Sequence, residues 1–108
     1  MGDESDFSVQ VEATGGDGVT AVLVLAGELD AYAAEHLIEA IERIDPAAAG
    51  IDLDVGGVSF VDSSGLRVLL KASDRLGPTS VTTLRHAQPP LLRLLELTGL
   101  LDHFTLAP

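Results

Sequence analysis

The 108-residue sequence contains no cysteine. A disulfide, a thiolate nucleophile and a cysteine-ligated zinc site are therefore excluded, so stability must come from packing. This composition agrees with a cytoplasmic location, which we expect. Basic residues are scarce as well: 6 Lys and Arg residues against 17 Asp and Glu residues give a formal net charge of −11. Because such a charge repels a phosphate backbone or an anionic membrane surface, neither nucleic acid nor membrane is an expected partner.

Long apolar runs are also absent. No run approaches the ~20 residues that a membrane-spanning helix needs. Residues 1–6 are acidic where a signal peptide would be basic and then apolar, so neither export nor insertion is predicted. We expect a flexible N-terminus over residues 1–6. With 46% hydrophobic residues, the chain suffices for one compact domain, which we place at residues 7–108.

An antiparallel hairpin is predicted at the start of this domain. Apolar and polar residues alternate over residues 7–13, as in an outer strand with one buried face. The glycine-rich residues 15–18 then allow the chain to reverse into the apolar residues 19–26, which predict a central strand.

Strands and amphipathic helices alternate after the hairpin. Helices are predicted from apolar residues at helical spacing over residues 31–44, residues 63–76, and residues 91–98 after Pro89-Pro90, with Gly99 just past the last one. Further strands are predicted over residues 51–61 with a bend at Gly56-Gly57, over residues 81–86 and over residues 104–106. This order predicts an α/β domain with a mixed sheet of about four to five strands and helices packed mainly on one face.

An Asp-Ser-Ser-Gly junction stands at residues 62–65, where a predicted strand gives way to a helix. The simplest interpretation is that Asp62 or Ser63 caps the helix. The functional interpretation adds that an exposed Ser63 accepts a phosphate, which the positive helix N-terminus would tolerate. Arg67 stands one turn further and could reach such a phosphate, although a solvated face is the favoured explanation. Together with Lys71 and Arg75 it forms a basic stripe that a partner could recognise.

Carboxylates at residues 28–30 leave a second chemistry open. Asp30 is a natural N-cap for the first helix. Glu28, Asp30 and Asp62 could also form, together with Ser63, the active site of a metal-dependent enzyme or of a small hydrolase. That alternative lacks a convincing base and the leading glycine of the hydrolase elbow. His36 with Glu39 is the one helical pair that resembles a metal-ligand set. Because one His and one Glu do not make a metal site, we expect no metal or other cofactor.

Three short motifs occur in one order along the chain: Gly-Glu-Leu-Asp at residues 27–30, Phe-Val-Asp-Ser-Ser-Gly-Leu at residues 60–66 and Leu-Leu-Glu-Leu-Thr-Gly-Leu at residues 94–100. Together they resemble the STAS domain family, specifically the bacterial anti-sigma factor antagonists. The resemblance implies a switch protein rather than an enzyme. In that family the unmodified antagonist binds an anti-sigma factor, typically a serine kinase with a GHKL-type ATP fold, and so frees a sigma factor.

The resemblance also implies roles for individual residues. Ser63 becomes the phosphoacceptor, and a serine phosphatase restores its hydroxyl. The residues that bind the partner or support the switch are Asp30, Asp62, Ser64, Gly65 and Arg67. We expect a monomer when the protein is free. A STAS module of a stress-signalling scaffold or of a transporter-associated complex is the alternative. Asp52 replaces the aliphatic residue usual in the family, so we expect it to face solvent or a partner.

Overall fold

A computed structural model describes residues 7–108 of the chain. The expected flexibility of residues 1–6 lies outside this part. In chain order the elements are β1 (Ser8–Ala13), β2 (Ala21–Leu29), α1 (Ala31–Glu42), β3 (Gly50–Val61), α2 (Ser63–Asp74), β4 (Val81–Arg85), α3 (Pro89–Thr98), a 3₁₀ turn (Leu101–His103) and β5 (Thr105–Ala107). No helix in residues 7–108 is both long and apolar enough to cross a membrane.

The strands form one sheet in the order β1-β2-β3-β4-β5. β1 pairs antiparallel with β2, and every other neighbouring pair is parallel. This confirms the predicted mixed sheet with an initial hairpin. Because β2, β3 and β4 run in the same direction, their C-terminal ends share one edge of the sheet, here named the carboxyl edge. The two helices that follow β2 and β3 both begin there.

The helices cover one face of the sheet, as predicted. Alternate strand residues point to that face and join helix residues in a single core. The largest side chains with no exposed surface in this core are Leu23, Leu25, Leu29, Leu37, Leu53, Leu69, Leu84 and Leu95. Each contributes about 1.5–3 kcal/mol by its burial. The opposite face is open and carries half-buried charged residues such as Asp52 and Arg85.

Several predicted boundaries are wrong. Val19 lies outside β2 and is 51% exposed, because it closes a tight turn through hydrogen bonds with Gly16. β2 continues to Leu29, so the Gly-Glu-Leu-Asp motif ends the strand instead of following it. α1 ends at Glu42 because the amides of Arg43 and Ile44 bond to carbonyls three residues earlier.

The predicted bend at Gly56-Gly57 does not interrupt the strand, because β3 is continuous over 12 residues. The irregularity appears instead as shifts of register opposite the second half of β2. A Cβ atom on Gly57 would lie 3.0 Å from the Cβ atom of Ala26, and one on Gly56 would lie 2.9 Å from that of His86. The glycines therefore let the neighbouring segments at Ala26 and His86 approach β3 closely without interrupting the strand.

Candidate functional site

Two aspartates lie side by side at the carboxyl edge. Leu29 ends β2 opposite Val61 at the end of β3, and Asp30 and Asp62 follow directly. Oδ1 of Asp30 accepts a hydrogen bond from the amide of Ala33 at 2.9 Å. Oδ1 of Asp62 accepts the equivalent bond from Gly65 at 3.0 Å. Each aspartate is therefore an N-cap, and the sheet places the first turns of α1 and α2 next to each other.

Ser63 is the first residue of α2, and it is exposed. Its hydroxyl makes no hydrogen bond within residues 7–108, and within the same residues the amides of Ser63 and Ser64 have no acceptor. Ser64 is half-buried. A modifying enzyme would thus reach Ser63 more readily, at a helix end that offers two free N–H groups to an anion.

Gly65 is buried where α2 meets the end of β2. A Cβ atom there would lie 2.6 Å from Cγ of Leu29 and closer still to the carbonyl oxygen of Leu29. The amide of Asp62 also donates to that carbonyl, at 3.3 Å. Glycine is therefore required for α2 to begin this close to β2, a packing role that the motif alone did not reveal.

Only part of the predicted basic stripe faces solvent. Arg67 and Lys71 are exposed, but Arg75 is half-buried. Its guanidinium donates to the carbonyls of Ile41 at 3.2 Å and Ile44 at 2.7 Å, at the C-terminal end of α1. The predicted stripe is therefore wrong at Arg75, whose guanidinium bonds to carbonyls at the negative end of the α1 dipole.

Two exposed aromatic side chains flank the aspartates. Tyr32 follows Asp30 in the first turn of α1 and is 56% exposed, while Phe60 precedes Asp62 and is 48% exposed. Sequence reasoning missed both; their position two residues from each cap was the available signal. Phe60 thus adds an exposed apolar ring near the end of β3, whereas Tyr32 lines a groove between α1 and β1.

A comparison with known families finds that the family described as "Mlab, STAS domain" matches residues 12–107. The chain belongs to the STAS domain family. The anti-sigma-B factor antagonist of Listeria monocytogenes is 35% identical over 100 residues, covering 90% of this STAS domain chain and 85% of the relative. The anti-sigma-B factor antagonist of Listeria innocua matches with the same identity and coverage.

Solved structures confirm the predicted STAS-like fold. An anti-sigma factor antagonist from Mycobacterium paratuberculosis is 28% identical with a TM-score of 0.82, covering 100% of this chain and 91% of that one. The Bacillus cell fate determinant SpoIIAA in its phosphorylated form is 27% identical with a TM-score of 0.70, covering 94% and 92%. A sulfate transporter family protein from Wolinella succinogenes, at 15% identity and a TM-score of 0.68 over 82% and 75%, shows the shared fold alone.

The donor geometry of this STAS domain lends no support to the metal-dependent alternative. Within residues 7–108, no three His, Asp or Glu side chains come close enough together to hold a metal ion. Glu28 points to solvent at the carboxyl edge. His36 stacks edge-on against Tyr32, with ring centroids 5.0 Å apart. At the carboxyl edge, Asp30 and Asp62 therefore cap α1 and α2, and Ser63 next to Asp62 carries an exposed hydroxyl.

Charged residues on the open face of the STAS domain pair with each other. Asp52 accepts hydrogen bonds from Nη2 of Arg85 at 2.9 Å and from its Nε at 3.2 Å, which raises the pKa of Arg85 above its ordinary value. Asp54 accepts from the Gly56 amide at 3.0 Å and contacts Nδ1 of His86 at 3.1 Å. The Gly56 bond and then His86 lower the pKa of Asp54, against an opposing effect of partial burial. Asp52 thus lies on the open face, as expected.

Proposed function

We propose that this STAS domain is an anti-sigma factor antagonist: its unphosphorylated form binds an anti-sigma factor and so frees a sigma factor. The names of relatives at 35% and 28% identity support this. The observation that carries it is the exposed hydroxyl of Ser63 at the first position of α2, directly after the aspartate cap and three residues beyond the exposed ring of Phe60. The end of β3 and the start of α2 thus combine an exposed apolar ring with one exposed, modifiable hydroxyl.

Ser63 is the proposed phosphoacceptor, and Ser64 is the less suitable one because it is half-buried. A phosphate on Ser63 would lie at the positive end of α2, which favours an anion by about 0.3–1 kcal/mol. Phosphorylation would therefore change the surface and leave the fold intact. A relative at 27% identity has been solved in a phosphorylated form, which supports a phosphorylated state of this fold.

The phosphate prevents binding through charge. It adds about two negative charges beside Asp62 and Asp30, on a chain whose net charge is already −11. A partner that fits the neutral hydroxyl would have to bury this dianion, whose two charges a single Arg67 does not balance, at a cost of several kcal/mol. Gly65 holds α2 in place, and the exposed Arg67 one turn further contributes a cation to the same surface.

The proposed partners are an anti-sigma factor that is a serine kinase of the GHKL type, and a serine phosphatase that reverses the modification. The domain itself then acts by binding and carries out no catalysis. We place it in the cytoplasm, where both partners and the sigma factor meet, and as a monomer until it binds. Neighbours from transporter proteins share only the fold, so the scaffold and transporter alternatives have no particular observation in their favour.

Capture from lysate of the source cell tests the proposal, with the wild-type domain and the Ser63→Asp variant as baits. We expect a kinase-type anti-sigma factor on the wild-type bait alone. Incubation of the captured kinase with the domain and ATP should then add one phosphoryl group at Ser63, located by peptide mass spectrometry. Ser64→Ala is the matched control and should be phosphorylated normally. Stoichiometric phosphorylation of Ser63→Ala would show that Ser63 is the wrong residue.

A further inference from the structure

A groove of about 260 Å³ separates β1 from α1. Its floor consists of Phe7, Val9 and Val11, which point to the helix-covered face yet are only half-buried. Tyr32 and His36, one turn apart on α1, form the opposite wall. Glu39, Ala40 and Arg43 complete the lining, so the groove carries one charged side chain of each sign and has room for additional apolar side chains.

Among residues 7–108, nothing pairs with the outer edge of the strand beside this groove. β1 is outermost in the sheet, and in the part of the chain that the structure describes it pairs only with β2. Alternate N–H and C=O groups of an edge strand point outward and can hydrogen-bond to an added strand. A shift of register between Val11 and Ala13 interrupts the pairing, so the regular edge covers residues 8–11.

The geometry defines what an added strand must contain. Successive side chains of a strand point to opposite faces, so every second one would enter the groove and meet Val9 and Val11. Those positions favour aliphatic residues. The side chains between them would lie beside the exposed Ser8, Gln10 and Glu12. Since opposite charges across strands stabilise a pair, Glu12 and the net charge of −11 favour Lys or Arg there.

We propose that the β1 edge and its groove bind an extended, basic segment of another protein by strand addition, with aliphatic residues at every second position. A second copy of this chain is a poorer occupant because it would bring a further charge of −11. The site involves β1 and α1 alone and requires no phosphate on Ser63. It therefore stands apart from the proposed antagonist function and can fail or succeed independently.

The test titrates the full chain into a labelled peptide, blocked at both ends, in which Val alternates with Lys. We expect saturable binding by fluorescence anisotropy, together with chemical-shift changes and slowed hydrogen exchange at the amides of residues 8–11. Tyr32→Ala, which removes part of the groove wall, should weaken binding about tenfold. Leu97→Ala is the matched control: Leu97 is 77% exposed on α3, and its truncation should leave the affinity unchanged. Circular dichroism verifies that both variants are folded.

A second set of binding measurements changes the charge at residue 12 and the order of the residues in the peptide. Glu12→Lys should weaken binding of the Val-Lys peptide and strengthen binding of a peptide in which Val alternates with Glu. Equal affinity for a peptide of the same composition with its Val residues in one block would overturn the proposal, because strand addition needs the alternation. Shifts confined to residues outside β1 and α1 would overturn it too, as would self-association through β1 in sedimentation experiments.

Discussion

Gly65 packs against Leu29 so closely that no side chain fits between them. Its missing Cβ atom would lie 2.6 Å from Cγ of Leu29, and the amide of Asp62 bonds to the Leu29 carbonyl at 3.3 Å. The start of α2 is thereby fixed to the end of β2. The position of Ser63, between these contacts, follows from the same close approach.

We predict that Gly65→Ala lowers the free energy of unfolding by about 2 kcal/mol, because α2 must move away from Leu29. Urea denaturation measures the change. Gly16→Ala is the control: a Cβ atom there would meet nothing within 4 Å, so its effect should stay below about 0.5 kcal/mol. Similar stability of the two variants would contradict the role assigned to Gly65.

Two variants of Asp62 separate the contribution of its capping hydrogen bond from the contribution of its charge. Asp62→Ala should cost about 1 kcal/mol of stability, whereas Asp62→Asn should cost only a few tenths because the amide oxygen still accepts from Gly65. Asp30→Ala, the same change at the cap of α1, should cost about as much. Thermal unfolding of the three variants checks this, and an asparagine variant as unstable as the alanine variant would speak against the cap.

Arg75 is predicted to stabilise the fold, and Arg67 is not. Replacing Arg75 by Met removes its bonds to the carbonyls of Ile41 and Ile44 and should lower the free energy of unfolding by about 1.5 kcal/mol. Arg67→Met changes an exposed residue and should have an effect below about 0.5 kcal/mol. Chemical denaturation compares them; the reverse order would restore Arg75 to the solvent-facing stripe.

Asp54 should contribute to acid sensitivity. Its pKa in the folded protein lies below the ordinary value of 3.8, chiefly through the Gly56 amide and then His86. The stabilisation is therefore complete above that ordinary value and is lost as the pH falls through the lower folded pKa. Asp54→Asn keeps an acceptor for Gly56 but does not titrate. Between about pH 6 and about pH 3, the free energy of unfolding of this variant should fall less than that of the wild type, and the difference should be under about 1 kcal/mol. Parallel pH profiles would contradict this.

Local chemistry made the caps predictable. Asp30 and Asp62 each stand between an apolar strand and a helical pattern, and short acceptor side chains at that point bond to the first helical turn. Exposure of Ser63 follows from the same argument. The parallel order of β2 and β3, which brings the two caps together, follows from the alternation of strands and helices.

Contacts between distant segments were not predictable in the same way. Arg75 has the spacing of a solvent-facing residue, yet its long side chain reaches the end of α1, more than 30 residues earlier in sequence. The requirement for Gly65 depends on Leu29, and the groove beside β1 depends on how α1 packs against that strand. None of these features has a local sequence pattern.

The central claim is that a phosphate on Ser63 ends binding to the anti-sigma factor. Isothermal titration of the domain with that partner, before and after complete phosphorylation, tests it most directly. We predict tight binding of the unmodified domain and of Ser63→Ala, and at least about a 100-fold loss of affinity after phosphorylation. Treatment with a serine phosphatase should restore the original affinity. Equal affinity of the phosphorylated and unphosphorylated domains would contradict the account.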